Sequence, residues 1–230
     1  MVPLQVIWAR RTQHRATGTS LLAILPIAVV AAATYYFARS SPQTDLTVAF
    51  FLGLGGIVGA FLGSLAARRI SDRALSMIFA VFLVVVGLKE VYDALNGAAP
   101  HLAASSVPAL STLQDALITL GGVVVGIASG LTGVGGGTLI VPLLGLGFGI
   151  GQRIAQGTSL VAILPTSAIG ALTHQRSGDV NLRAALWMGG VGVPAALAGS
   201  ALALWLPQRV LGGLFGVFLV LAATRIWPRR

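Results

Sequence analysis

A nine-residue motif occurs twice in this chain of 230 residues. Residues 18–26 read GTSLLAILP and residues 157–165 read GTSLVAILP, so eight of the nine positions are identical at an offset of 139 residues. Shorter matches follow in the same order: residues 2–4 with 141–143, residues 63–64 with 199–200, and residues 79–84 with 215–220. An ordered series of this kind indicates that the chain consists of two homologous halves.

The composition predicts that most of the surface faces lipid. Hydrophobic residues make up 56% of the chain and charged residues only 9%, whereas soluble domains carry about 25% charged residues. The net charge of +9 reflects a scarcity of acids, 6 against 15 bases, and the bases lie between apolar runs as in membrane proteins. We therefore expect contact with a lipid bilayer and no binding of nucleic acid. The absence of cysteine excludes disulfides, zinc ribbons and thiol catalysis.

Six apolar runs are long enough to cross a membrane, which takes about 20 helical residues. They cover residues 17–38, 45–67, 74–95, 157–175, 181–206 and 209–227. A further stretch, residues 113–149, is too long for one crossing, and its glycine-rich centre at 130–137 predicts a broken helix or a short in-and-out pair.

These runs predict an all-α integral membrane protein with about seven or eight transmembrane helices in two repeats with broken, glycine-rich segments. The first repeat spans residues 1–95 and the second spans residues 113–230. A connecting loop, residues 96–112, joins them within a single membrane domain.

The distribution of Lys and Arg predicts how the two repeats are oriented. If residues 113–149 cross the membrane twice, 11 bases lie on the side of the N-terminus and 4 on the other side, whereas one crossing gives 8 and 7. The positive-inside rule favours the double crossing and a cytoplasmic N-terminus. An odd number of crossings then separates the two motif copies, so the repeats are inverted. We expect the copies to face each other across the membrane midplane.

The sequence offers no evident catalytic group. All six acids lie at the ends of apolar runs or in loops, so we expect no proton relay of buried carboxylates and no metal site. The three histidines are far apart, and no phosphate-binding loop ending in Gly-Lys-Ser/Thr is present. We expect a protein that is not an enzyme and needs no cofactor.

Glycines and hydroxyls around the predicted helix break form the candidate substrate site. A half-helix that begins at such a break directs free backbone N–H groups toward an anion, and neighbouring hydroxyls add donors. The predicted binding residues are Thr132, Gly133, Gly135, Gly136, Gly137, Thr138, Gly157, Thr158 and Ser159, with Gly18, Thr19 and Ser20 as their counterpart in the first half. The alternative is structural, because glycines also pack helices together and hydroxyls also bond to the carbonyl four residues earlier.

Three prolines are predicted to break helices near this site. Pro26 and Pro165 lie inside predicted spans, eight residues after Gly18 and Gly157, and Pro142 follows the glycine-rich run. Proline lacks a backbone N–H and frees a carbonyl. One interpretation is a discontinuous helix that faces the transport pathway, and the other is a structural kink.

Two of these segments carry a resemblance to a known family. Residues 130–144 (GLTGVGGGTLIVPLL), followed by residues 155–160 (AQGTSL), resemble the TauE/SafE family of sulfite-exporter-like membrane proteins. The resemblance covers nearly the whole chain. It implies an integral inner-membrane transporter of sulfite, sulfonates or related small organic anions.

The first half departs from the family pattern at two places. Members usually open each half with a glycine-rich helix, which the second half has at residues 121–137, but the first half begins at Met1 without it. In addition, residues 27–28 (IA) stand where the second half has the hydroxyls of residues 166–167 (TS). We therefore expect a site whose two sides are unequal.

The resulting expectation is a secondary transporter that moves a small anion across the inner membrane by alternating access. A proton or a sodium ion is the candidate coupling ion. Two alternatives from other classes stay open, a passive anion channel and a membrane scaffold or accessory subunit that transports nothing.

Overall fold

The computed structural model describes residues 13–37, 42–66, 72–96, 111–132 and 136–226, and these residues form helices and short connections without a strand. The helices are α1 (Gln13–Phe37), α2 (Leu46–Ala66), α3 (Asp72–Asn96), α4 (Thr112–Thr132), α5 (Gly137–Pro142, continued by a π-helical turn over Leu143–Gly147), α6 (Gln152–Arg176), α7 (Leu182–Trp205) and α8 (Gln208–Ile226). The predicted all-α class is confirmed. Residues 97–110, most of the predicted connecting loop, lie outside the described residues.

The helices have the length and the surface of membrane spans. Within the described residues, α1, α2, α4, α6 and α7 each contain an apolar stretch long enough to cross a bilayer, and α5 and α8 contain shorter ones. Large apolar side chains stand exposed along them, among them Phe50 of α2, Leu120 of α4 and Val191 of α7. Apolar surface on this scale is stable when lipid covers it.

The predicted break in residues 113–149 is confirmed. The helix α4 ends at Thr132, and α5 begins at Gly137 after Gly136, whose φ of 82° lies in the left-handed region. Glycine adopts this φ without the penalty that a Cβ atom brings. The chain then runs back alongside α4, since Gly136 packs against Val125 and Leu143 lies against Gly121.

The helices α1 and α6, which carry the two copies of the repeated motif, run antiparallel. Gly18 near the start of α1 lies against His174 near the end of α6, whereas Gly157 near the start of α6 lies against Tyr35 near the end of α1. The inversion of the repeats is therefore confirmed. The expectation that the two motif copies face each other is wrong, because about 25 Å of helix separates Gly18 from the level of Gly157.

The two mid-helix prolines make equivalent contacts in the two halves. A methyl group on Gly53 of α2 would lie 3.1 Å from Cγ of Pro165, and one on Gly189 of α7 would lie 2.9 Å from Cγ of Pro26. Both α1 and α6 continue through their prolines, so the predicted helix breaks at Pro26 and Pro165 are wrong. The facing glycine makes room for the ring, and a membrane helix tolerates one missing hydrogen bond. Pro142, by contrast, marks the change from α-helix to π-helical turn.

A row of glycines joins α2 to α4 at backbone distance. A methyl group on these glycines would collide with the backbone of α4, Gly55 with Thr119, Gly59 with Val123 and Gly63 with Ile127. In the other repeat, α7 occupies the place of α2, but a methyl group on its Gly199 would meet nothing within 4 Å. The apolar stretch of α2 is 50% buried and that of α7 only 17%. Among the described residues, the glycine face of α2 is thus packed against a neighbouring helix, whereas the equivalent face of α7 is not.

This asymmetry gives a matched pair of substitutions at equivalent positions of the repeats. We expect Gly63→Ala to lower the unfolding free energy by about 1–3 kcal/mol, because the methyl group overpacks a backbone contact, and we expect Gly199→Ala to change it by less than about 0.5 kcal/mol. Unfolding of the two purified variants in detergent would measure the difference. Equal losses in both variants would contradict the packing of α4 on α2.

The helices α3 and α8 form a separate antiparallel pair that packs against α5. They approach closely where Gly87 meets Gly216, and their apolar cluster includes Leu83 and Leu219, with Leu139 of α5 packed against it. The prediction that every acid lies at a span end or in a loop is wrong for Glu90. This residue is 0% exposed and lies about 9 Å inside the end of α3, because glycine at position 216 leaves room for it.

Candidate functional site

The helix α6 contacts both sides of the break between α4 and α5. Gly136 packs against Ser129 at the end of α4, and Gly137 lies against the Ile163 side chain of α6. On the other side of the break, the carbonyl of Gly130 accepts a hydrogen bond from Nε2 of His174, at 3.1 Å. One stretch of α6, residues 163–174, therefore spans the break.

Ser167 faces this break. Ile163, Ser167 and His174 are separated by four and seven residues, so they share one face of α6. Because Ile163 and His174 contact the two sides of the break, the serine between them points toward it. Ser167 is 0% exposed, and no hydrogen-bond partner of its hydroxyl lies among the described residues.

Two more hydroxyls at the break are buried in the same way as that of Ser167. Ser129 is 1% exposed and touches Gly136, and Thr138 lies in the first turn of α5. Within the described ranges, neither hydroxyl oxygen has a hydrogen-bond partner. We call Ser129, Thr138 and Ser167 the hydroxyl cluster. Since buried polar atoms in proteins are almost always hydrogen-bonded, three such hydroxyls at one break indicate a binding site.

Thr17 extends this arrangement onto α1. It lies one turn from Leu21, whose side chain contacts Gly170 of α6, so in the antiparallel pair it is level with the last turns of α6. Thr17 is buried, and its hydroxyl also lacks a hydrogen-bond partner in the part of the chain that the structure describes. The polar groups at this end of the molecule thus come from both repeats.

The chemistry of these groups suits a small anion. Hydroxyls donate hydrogen bonds without carrying charge, and hydrogen bonds to a charged acceptor are about twice as strong as those between neutral groups. Among the described residues, no three His, Cys, Asp or Glu side chains come together as a metal site would require. The cluster can therefore bind an oxyanion through neutral donors.

Comparison with known proteins agrees with this architecture. The family model for sulfite exporter TauE/SafE matches residues 1–90 and 118–230, which is most of both repeats. The chain belongs to the TauE/SafE family. It is a multi-pass membrane protein of a transporter family.

Relatives of this TauE/SafE chain carry matching names. The probable membrane transporter protein YunE of Bacillus subtilis is 28% identical over 194 residues, which cover 78% of this chain and 70% of YunE. A probable membrane transporter protein of Xylella fastidiosa strain Temecula1 is 30% identical over 213 residues, 91% of this chain and 78% of that protein. No solved structure matches the chain.

The structure of the TauE/SafE chain brings some of the predicted binding residues together. Gly136, Gly137 and Thr138 lie at the break, where Gly136 packs against Ser129 and Gly137 packs against Ile163. The side chain of Thr132 and the whole of Gly133 and Gly135 lie outside the described residues. Gly18, Thr19 and Ser20 are buried at the same end of the α1–α6 pair as His174, whereas Gly157, Thr158 and Ser159 are buried at the opposite end.

The two threonines of the repeated motif have equivalent structural contacts. The hydroxyl of Thr158 accepts a hydrogen bond from the backbone N–H of Asp45 at 2.9 Å, and that of Thr19 accepts one from Asn181 at 3.0 Å. Asp45 and Asn181 in turn accept hydrogen bonds from the first turns of α2 and α7. Each motif copy thus holds the helix start that follows the other copy. A role of these threonines in substrate binding stays a prediction.

Ser129 is not among the binding residues predicted from the sequence. Ser167 enters the prediction only as one of two hydroxyls that follow Pro165. The available sequence signal was position, since Ser129 lies one turn before Gly133 and Ser167 follows Pro165 by two residues. Position alone does not reveal an unpaired hydroxyl. Thr166, next to Ser167, bonds to carbonyls of its own helix in the usual way.

Proposed function

We propose that the chain is a secondary transporter of small anions, with sulfite, sulfonates and related organic anions as the substrate class, and that the hydroxyl cluster binds the anion. The observation that carries this proposal is the pair of fully buried hydroxyls of Ser129 and Ser167, which have no hydrogen-bond partner among the residues that the structure describes. A buried hydroxyl without a partner costs about 1–3 kcal/mol. An oxyanion would recover that free energy by accepting both hydrogen bonds.

The inverted repeats support alternating access as the mechanism. In each half, a threonine at the start of one motif helix holds the helix that follows the other motif helix. Because the two attachments are equivalent and lie at opposite ends of the molecule, each repeat can adopt the conformation that the other repeat has. This interchange would open the site to one side of the membrane and then to the other. The break between α4 and α5 supplies the irregular backbone that membrane transporters place at their substrate sites.

Charges at the helix ends support a cytoplasmic N-terminus in the inner membrane. Arg176 and Arg183 flank the α6–α7 connection, which lies at the same end as Gly18 and the start of α1. Arg153 and Arg209 lie at the opposite end, where they donate hydrogen bonds to the carbonyls of Leu206 and Ala94. Together with the sequence distribution of 11 against 4 bases, these positions support a cytoplasmic N-terminus by the positive-inside rule.

Transport by purified protein in lipid vesicles tests this proposal. We expect vesicles that contain the protein to take up sulfite or a sulfonate at a saturable rate above that of empty vesicles, and to return the anion chemically unchanged. Ion conductance without saturation would favour the passive channel. A rate equal to that of empty vesicles for every anion would overturn the proposal and favour a scaffold or accessory role.

A further inference from the structure

Glu90 is a fully buried acid that the anion site does not use. It lies on α3 at the contact with α8, where a methyl group on Gly216 would be 2.9 Å from its Cβ atom. Ionisable residues within membrane helices are expensive to bury, and most of those retained serve function. The position of Glu90 therefore requires an explanation beyond packing.

Three other charged groups lie near this contact. Asp93, one turn further along α3, binds Nζ of Lys89 at 2.6 Å, and Lys89 is 51% exposed. Arg209 at the start of α8 donates hydrogen bonds to the carbonyls of Ala94 and Leu95 at the end of α3. Lys89 and Asp93 pair within α3, Arg209 joins the ends of the two helices, and Glu90 lies deeper between them.

The pair formed by α3 and α8 is in direct contact with the helix that carries part of the anion site. Leu139 and Leu146 of α5 pack against the apolar cluster of α3 and α8, which includes Leu83 and Val86. Leu139 is the residue after Thr138 of the hydroxyl cluster. Movement of α5 during anion binding would therefore change the packing around α3 and α8.

We propose that Glu90 is the proton-binding site that couples anion transport to a proton gradient. This inference rests on the proposed transport function. A proton from water on one side of the membrane bonds to a carboxylate oxygen of Glu90, and the same bond breaks when the proton is released to the other side. A change in the packing of α3 and α8 that opens Glu90 to water on one side of the membrane or the other moves the proton.

Glu90→Gln removes the ionisable group and keeps the shape of the side chain. In vesicles with an imposed pH gradient, we expect this variant to accumulate sulfite at least about tenfold less than the wild type, while exchange of labelled for unlabelled sulfite without a gradient stays within about twofold. Asp93→Asn is the matched control, since it neutralises the acid one turn away, and we expect it to keep gradient-driven accumulation.

The outcomes separate this proposal from the proposed function. Exchange without any dependence on the pH gradient in the wild type, or full gradient-driven accumulation by the Glu90→Gln variant, would overturn the role of Glu90 and leave anion transport intact. Absence of exchange in the wild type would overturn both. If the variant does not fold, infrared spectra of the wild type decide: we expect the protonated-carboxyl band to change when sulfite is added, and an unchanged band would contradict the proposal.

Discussion

Replacing Ser129 and Ser167 together with alanine is expected to weaken sulfite binding by about a hundredfold or more without lowering the stability of the ligand-free protein. Neither hydroxyl has a partner among the described residues before the anion binds, so its removal costs the ligand-free protein no hydrogen bond. With the anion bound, each substitution removes one hydrogen bond to a charged acceptor, worth about 1.5–3 kcal/mol. Isothermal titration and thermal unfolding of the purified variant would measure both quantities.

Ser200→Ala is the matched control for this double substitution. Ser200 is also a buried helical serine, but its hydroxyl donates to the carbonyl of Ala196 at 2.6 Å, and it lies on α7, away from the break. We expect sulfite affinity within about twofold of the wild type, which corresponds to less than 0.5 kcal/mol. Wild-type affinity in the Ser129→Ala/Ser167→Ala variant would exclude the hydroxyl cluster as the anion site.

Gly136→Ala is expected to abolish most transport, while Gly149→Ala leaves most of it. Both glycines have φ in the left-handed region, 82° and 68°, so alanine costs each position about 1–2 kcal/mol of backbone strain. Only Gly136 lies in the break, where a methyl group would be 2.9 Å from Cγ1 of Val125, whereas at Gly149 it would meet nothing within 4 Å. We expect the sulfite transport rate to fall at least about tenfold more for the Gly136 variant.

Equal transport by these two variants would contradict the importance of the break geometry. Comparison within the pair is needed because strain alone lowers the amount of folded protein. Rates should therefore be normalised to the amount of monodisperse protein in the vesicles. If transport falls in proportion to the amount of folded protein in both variants, the loss of transport is due to lower stability.

Most of the fold could be predicted from the sequence, because span length and hydrophobicity are local properties. The predicted spans 45–67 and 209–227 agree with α2 and α8 within a few residues. The start of α6 lies five residues earlier than predicted, since Gln152 and Arg153 are polar but helical, and Arg153 donates a hydrogen bond to the carbonyl of Leu206 between α7 and α8. The charge distribution also predicted the inversion of the repeats.

The failures of prediction concern properties that depend on a neighbouring helix. Pro26 leaves α1 unbroken because Gly189 makes room for its ring, and Glu90 is buried because α8 presents Gly216. Ser129 could not be distinguished from helical hydroxyls such as that of Thr173, which bonds to the carbonyl of Ile169. Such contacts join residues that are distant in the sequence, so no local pattern reports them.

The most direct test of the anion site uses the absence of cysteine from the chain. Single cysteines would be introduced by Ser167→Cys at the break and by Ser159→Cys at the opposite end of α6, and labelling by a maleimide would be followed with and without methanesulfonate. We predict that methanesulfonate slows labelling at position 167 by about fivefold or more and leaves position 159 unchanged, since occupancy protects only the bound site. Protection at position 159 alone, or equal rates with and without the anion at position 167, would contradict the placement of the site at the α4–α5 break.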